Sequence, residues 1–142
     1  MSALMVASER LGELSVDEMS VVELPAGIIG FPEYRRYALV AADEDGLYTW
    51  LQSLDEPSLA FLAVVPTPFF ADYAPVIADE DCFRLGLGSS RDAQLLCLVT
   101  LAEQSVTANL LGPIVLNVRT RTARQVVLND PRLSTRMPIV PG

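Results

Sequence analysis

The chain has 142 residues, 51% of them hydrophobic, with 18 acidic side chains against ten arginines, no lysine, no histidine and a formal net charge of −8. That length suits one domain, and the acidic balance weighs against a nucleic-acid binder, which gains affinity by neutralising phosphates. The lack of histidine and of any Cys-x-x-Cys spacing between Cys82 and Cys97 argues against a zinc site and removes the commonest general acid or base.

Along the chain, Met1 to Ala7 lack a basic stretch and run quickly into Glu9, so they do not read as a secretory leader, and the expected compartment is the cytoplasm. The longest apolar run, Leu59 to Val65, has seven residues, far short of the roughly 20 a membrane span needs. Short β-prone runs are predicted near residues 11–15, 19–24, 36–41, 47–52, 59–65, 73–77, 95–102, 106–110, 114–118 and 124–128. Turn signals such as Asp43-Glu44-Asp45-Gly46, Asp55-Glu56-Pro57, Pro66-Thr67-Pro68 and Gly112-Pro113 separate them. This spacing predicts an all-β fold, a single antiparallel barrel-like domain over 1–142 with very little helix. One or two helical turns are expected over Asp79 to Leu85, where acids lead and Arg84 follows, and Arg91 to Gln94 is expected to be loop. Cys97, inside Leu95-Leu96-Cys97-Leu98-Val99, reads as a buried small hydrophobe.

The C-terminal third carries a hairpin signature. Ile114-Val115-Leu116 and Val126-Val127-Leu128 are β-rich apolar runs around the polar loop Arg119 to Ala123. A five-residue loop sets Asn117 opposite Gln125, so that two side-chain amides meet. Charge is uneven: residues 1–83 hold three arginines against fifteen acids, a balance of −12, and residues 84–142 hold seven against three, a balance of +4.

Four blocks stand in order along the chain: Leu24-Pro25-Ala26-Gly27-Ile28-Ile29-Gly30-Phe31-Pro32; Trp50-Leu51-Gln52-Ser53 with Leu59-Ala60-Phe61; Phe69-Phe70-Ala71-Asp72-Tyr73; and Asn109-Leu110-Leu111-Gly112-Pro113-Ile114-Val115-Leu116-Asn117 with Gln125-Val126-Val127-Leu128. Together they resemble the flagellar assembly factor (FliW) family. The resemblance covers roughly 11–128. It departs at Ile29, where the family commonly carries proline, and the proline-rich tail over 130–142 matches no block. The resemblance implies a non-catalytic protein without cofactor, monomeric when free, that binds flagellin through that partner's C-terminal helical region. When free of flagellin, such a protein binds and antagonises the small RNA-binding regulator CsrA, relieving repression of flagellin translation. It implies no direct nucleic-acid contact and no membrane.

Asp72, Tyr73, Glu80 and Asp81 are the candidate charged rim of a partner site, because acids there adjoin the aromatic Phe69-Phe70 element. Val99, Leu101, Leu110 and Leu111 are candidates for its apolar part, with core packing as the competing reading. Asn109, Asn117 and Gln125, amides within apolar runs, are read as a structural polar network that fixes register. Solvated loops are the alternative reading of the acids, and Phe69 and Phe70 also suit the closure of one barrel end. A different class of function stays open: an oligonucleotide-binding-type barrel using Trp50, Phe61 and the Arg119 to Arg124 loop to hold single-stranded nucleic acid.

Overall fold

The computed structural model describes residues 3–139. Strands β1 (Ala3–Ser8) and β2 (Gly12–Asp17) form a hairpin, and a 3-10 turn over Glu18–Ser20 leads to β3 (Val21–Glu23), β4 (Arg36–Ala41), β5 (Tyr48–Ser53) and β6 (Ala60–Val64). Helix α1 (Asp79–Leu85) and a 3-10 turn at Ser90–Asp92 follow, then β7 (Ala93–Ala102), β8 (Ser105–Ala108), β9 (Ile114–Asn117), β10 (Thr122–Gln125) and β11 (Met137–Pro138).

Seven strands close a barrel in the order β3-β4-β5-β6-β7-β9-β10 and back to β3. Neighbours around the ring are antiparallel except at the closure, where Thr122 of β10 lies parallel to and opposite Glu23 of β3. The all-β, barrel-like expectation holds, with α1 as the one α-helix among the described residues. Closure leaves the ring without a free edge, which is how small barrels avoid unpaired backbone.

The interior follows from alternation. Leu51, Leu96, Ile114, Leu116 and Ala123 point inward with Val22, Leu24, Ile28 and Tyr37, each of the Val, Leu and Ile side chains contributing about 1.5–3 kcal/mol when fully buried. One end of the barrel is plugged by the loop after β3: Leu24 and Ile28 are fully buried, and Phe31 meets Phe61 edge-on at 5.3 Å. Gly27 makes that loop possible, because its φ is +70° and a Cβ there would stand 2.6 Å from the Phe31 carbonyl oxygen.

β7 serves two partners along one edge. Ala93 to Leu96 pair with β9, and Val99 to Ala102 pair with β8. Between Leu96–Ile114 and Val99–Ala108, three steps along β7 face six along the partner, so Asn109 to Pro113 bulge out, with the Asn109 amide still donating to the Leu98 carbonyl at 2.9 Å.

Four sequence expectations are corrected. Residues 73–77 are extended but unpaired, since Pro75 offers no ladder donor. Gln94 belongs to β7, not to a loop. β1 was not anticipated; its pairing with β2 buries Val6 and Ser8. The β9–β10 register puts Asn117 opposite Thr122 and Gln125 opposite Ile114, so Asn117 and Gln125 do not pair. The turn holds four residues, 118–121, closed by the Arg121 amide donating to the Asn117 carbonyl at 2.8 Å. Arg121 adopts φ +62° there, and the resulting odd-numbered slip turns Gln125 to the other face.

Candidate functional site

The surface carrying the predicted acids is built from the Pro66 turn outward. Phe69 and Phe70 donate their amides to the Pro66 carbonyl at 3.0 and 2.9 Å, which folds both rings back onto the cluster around Val64, Cys97 and Leu110. Phe69 meets Tyr48 edge-on at 5.8 Å. Tyr73 then anchors the chain: its hydroxyl donates to the Leu110 carbonyl at 2.6 Å, tying this segment to the bulge between β8 and β9. Burial drives the Tyr73 phenol well above its ordinary value and pushes the Cys97 thiol up to about 11, so both stay neutral at physiological pH.

From Tyr73 the chain runs extended to α1. Asp79, Glu80 and Asp81 occupy the first helical turn and Arg84 the last, the arrangement the helix dipole favours. Gly86, at φ +67°, ends the helix with its amide on the Cys82 and Phe83 carbonyls. Two contacts fix the inner face. Asn117 Nδ2 donates to the Leu85 carbonyl at 2.8 Å, while its Oδ1 accepts from the Arg119 and Thr120 amides. Arg124 Nε donates to Asp81 Oδ1 at 3.0 Å. Leu85 packs into a cluster with Val115, Val126 and Leu128.

The outer face of α1 is therefore free. Phe83 is 86% exposed and Val76, just before the helix, is 88% exposed. Beside them stand Asp79 and Glu80, the latter in an exposed ion pair with Arg84 at 2.6 Å. Among the predicted rim residues, Asp72 and Glu80 are exposed, Tyr73 is half-buried and Asp81 is committed to Arg124. Asp72 and Tyr73 line a shallow groove of about 200 Å³ with Pro75, Asp130, Arg132 and Leu133. The Asp130 carboxyl is held below its ordinary value by hydrogen bonds from Arg132.

The apolar candidates do not form one patch. Leu110 is 3% exposed, within the core; Val99 and Leu111 are half-buried against two different clusters; and Leu101, near the tip of the β7–β8 hairpin, is 60% exposed. Asn109 and Gln125 converge on Gly112, Asn109 Oδ1 accepting from its amide at 2.9 Å and Gln125 Nε2 donating to its carbonyl at 3.0 Å. Asn117 stands apart from them. Of the groups assigned to a nucleic-acid barrel, Trp50 lies beneath the Arg10 guanidinium at 4.8 Å, Phe61 packs on Phe31 and Tyr37, and Arg119 and Arg124 are paired with Asp92 and Asp81.

Sequence reasoning missed the exposure of Phe83 and Val76, because a phenylalanine in a seven-residue helix reads as core. It also missed the tail: Met137 and Pro138 pair with β8, Leu133 packs against Tyr73's neighbours, and Ile139 is buried. Among the described residues, no cluster of three or more Cys, Asp or Glu is placed to hold a metal, and no helix is long and apolar enough to cross a membrane.

The family model described as FliW protein matches residues 5–139. The chain belongs to the FliW family. It is 36% identical over 139 residues to the flagellar assembly factor FliW of Magnetococcus marinus, covering 96% of this chain and 85% of that protein. It is 36% identical over 135 residues to the FliW of Geobacter sulfurreducens, covering 94% and 84%. A crystal structure of the flagellar assembly factor FliW superposes with a TM-score of 0.88 at 29% identity, covering 97% of this chain and 98% of that one. The match extends past the resemblance read over 11–128 at both ends, taking in most of β1 and the whole of β11.

Proposed function

We propose that this FliW family member is a non-catalytic cytoplasmic binding protein, monomeric when free, that takes flagellin and CsrA in turn. Family membership over nearly the whole chain carries the reading. Flagellin binding withdraws it from CsrA; free protein binds CsrA and relieves repression of flagellin translation. Which partner is bound then depends on their concentrations.

The outer face of α1 supports the reading physically. A protein of net charge −8 presents exposed Phe83 on the same helical face as Asp79 and Glu80, four and three residues before it, and exposes Asp72 and Val76 in the segment that leads into the helix. Such a surface suits a basic, partly apolar partner, the charges speeding encounter and the aromatic ring supplying contact area. Asp81 is better described as the strap between α1 and β10, since it holds Arg124. Leu101 offers a second exposed apolar contact on the β7–β8 hairpin.

The test is calorimetric titration of the purified chain with CsrA, with flagellin, and with both together. Binding to each, with flagellin displacing CsrA, is the expected result; no binding to either at micromolar concentration ends the reading. Lysine at both Asp79 and Glu80 should slow association with CsrA by about tenfold at low salt while lowering stability by only about 0.5–1 kcal/mol, from the exposed helix-end charges. Asp81→Lys should instead lower stability by about 1–3 kcal/mol, because it breaks a partly buried pair and faces Arg124 with a like charge.

A further inference from the structure

The barrel end opposite the Gly27 loop is bounded by the 42–47 loop, the ends of β6 and β9, the start of β7 and the 118–121 turn. It holds a cavity of about 210 Å³. The floor is apolar, made by Leu39, Leu96 and Leu116 of the interior core, while Thr49, Gln94 and Arg121 supply its polar groups. Thr49 and Gln94 share the inward alternation of Leu51 and Leu96 on their strands.

Arg121 is unlike the other arginines. Five pair with carboxylates, Arg10 lies over Trp50, and Arg35, Arg91 and Arg136 are exposed. Arg121 alone is partly buried with neither a carboxylate nor a ring partner among the described residues, and its Nε is buried without a hydrogen bond. The Thr49 hydroxyl makes no hydrogen bond among the described residues, and the Gln94 amide reaches only the Leu95 carbonyl, at 3.5 Å. A guanidinium donor withdrawn from water and left unpaired is costly, and the residue holds a positive φ of 62° that arginine adopts unwillingly. Barrel mouths are common places for small ligands.

We propose that this end of the barrel is a binding site for a small monocarboxylate with a short apolar body, its carboxylate on Arg121 and Gln94 and its body on Leu39, Leu96 and Leu116. The planar guanidinium fork matches a carboxylate. The cavity is of a size for a short-chain acid and too small to enclose a nucleotide. Asp43, Glu44 and Asp45 stand in the loop that borders the mouth, so their field disfavours a polyanion such as phosphate more than a monoanion. The same carboxylate chemistry is offered by a free short-chain acid or by the C-terminus of a peptide. The site is separate from the outer face of α1, so the proposal stands independently of the partner reading.

The experiment is amide-resolved NMR titration of the full chain with butyrate, with a tripeptide ending in leucine as free acid or as amide, and with inorganic phosphate. Saturable shifts over residues 94–96 and 116–121 are expected for butyrate, for the peptide acid, or for both, and which of them binds identifies the source. The peptide amide and phosphate should leave those residues unmoved. Arg121→Gly should weaken binding by about tenfold or more, in line with loss of a charge-assisted hydrogen bond, while melting stays level or rises, since glycine tolerates the positive φ. Gln94→Leu should weaken binding several-fold, and Glu44→Gln with Asp45→Asn should tighten it. The proposal is overturned if neither carboxylate moves those amides at tens of millimolar, if Arg121→Gly binds as well as the parent chain, or if phosphate reproduces the butyrate shifts.

Discussion

The two ends of the barrel are finished in different ways. At one, the loop from Leu24 to Arg35 drives Leu24 and Ile28 into the interior, and Gln125 ties that loop to the bulge by accepting from the Ile29 amide at 2.8 Å and donating to the Gly112 carbonyl at 3.0 Å. Its one orphan among the described residues is the Tyr37 hydroxyl, a neutral group. At the other end the 42–47 loop and the 118–121 turn border a cavity, and a charged donor, Arg121 Nε, is without a hydrogen-bond partner among the described residues. The contrast separates polar groups that finish the fold from polar groups that the fold does not use. Substitutions that break the packing or the hydrogen bonds of the plugged end should cost stability, and substitutions of the polar groups at the open end should not.

The largest expected effect is Gly27→Ala, which forces a Cβ to 2.6 Å from the backbone of Phe31 and Pro32 at a positive φ. Denaturant unfolding should show a loss of about 3 kcal/mol or more; a loss below ~1 kcal/mol would mean the plug is dispensable. Next is Gln125→Leu, which leaves the Gly112 carbonyl and the Ile29 amide without their side-chain partner and should cost about 1–2 kcal/mol.

Alkaline unfolding sharpens the comparison further. Burial, aided by Glu33 and Asp55, pushes the Tyr37 phenol from 10.0 up to about 12. A phenol ionises to its charged form, so a folded-state value above the unfolded one means stability is fully present below pH 10 and is lost as pH climbs through about 12. Tyr73 and Cys97 are raised too, so the informative quantity is the difference between parent and Tyr37→Phe. The variant should lose about 1–2 kcal/mol less between those pH values and be no less stable at neutral pH. The smallest effect is Thr49→Val at the open end, expected to stay within about 0.5 kcal/mol. A loss above ~1 kcal/mol would show that the Thr49 hydroxyl belongs to the fold.

Much of the barrel was legible because turn residues recur at regular intervals between alternating apolar runs, and α1 because its acids precede Arg84. The hairpin register was not. Its four-residue turn depends on Arg121 at positive φ, a conformation that arginine does not announce, and on Asn117 stapling the turn amides, where the apolar run before it reads as strand. β11 depends on a distant partner, β8, while β1 pairs with its neighbour β2 but lacks the turn signals that flank the other runs. At the candidate site, the acidic residues could be found from composition, but their division could not: Asp81 turns inward to Arg124 and Glu80 outward only because of which face of α1 packs on β10. Leu110 and Leu101 look alike as letters, yet the bulge buries one and the hairpin tip exposes the other.

Hydrogen–deuterium exchange of the full chain, alone and saturated with CsrA or flagellin, tests most directly whether this barrel is a scaffold that presents a binding face. Slowed exchange concentrated over residues 72–85, with β4 and β5 unchanged, is the predicted result for at least one partner. Protection confined to the β1–β2 hairpin, or no protection with either protein, would contradict it.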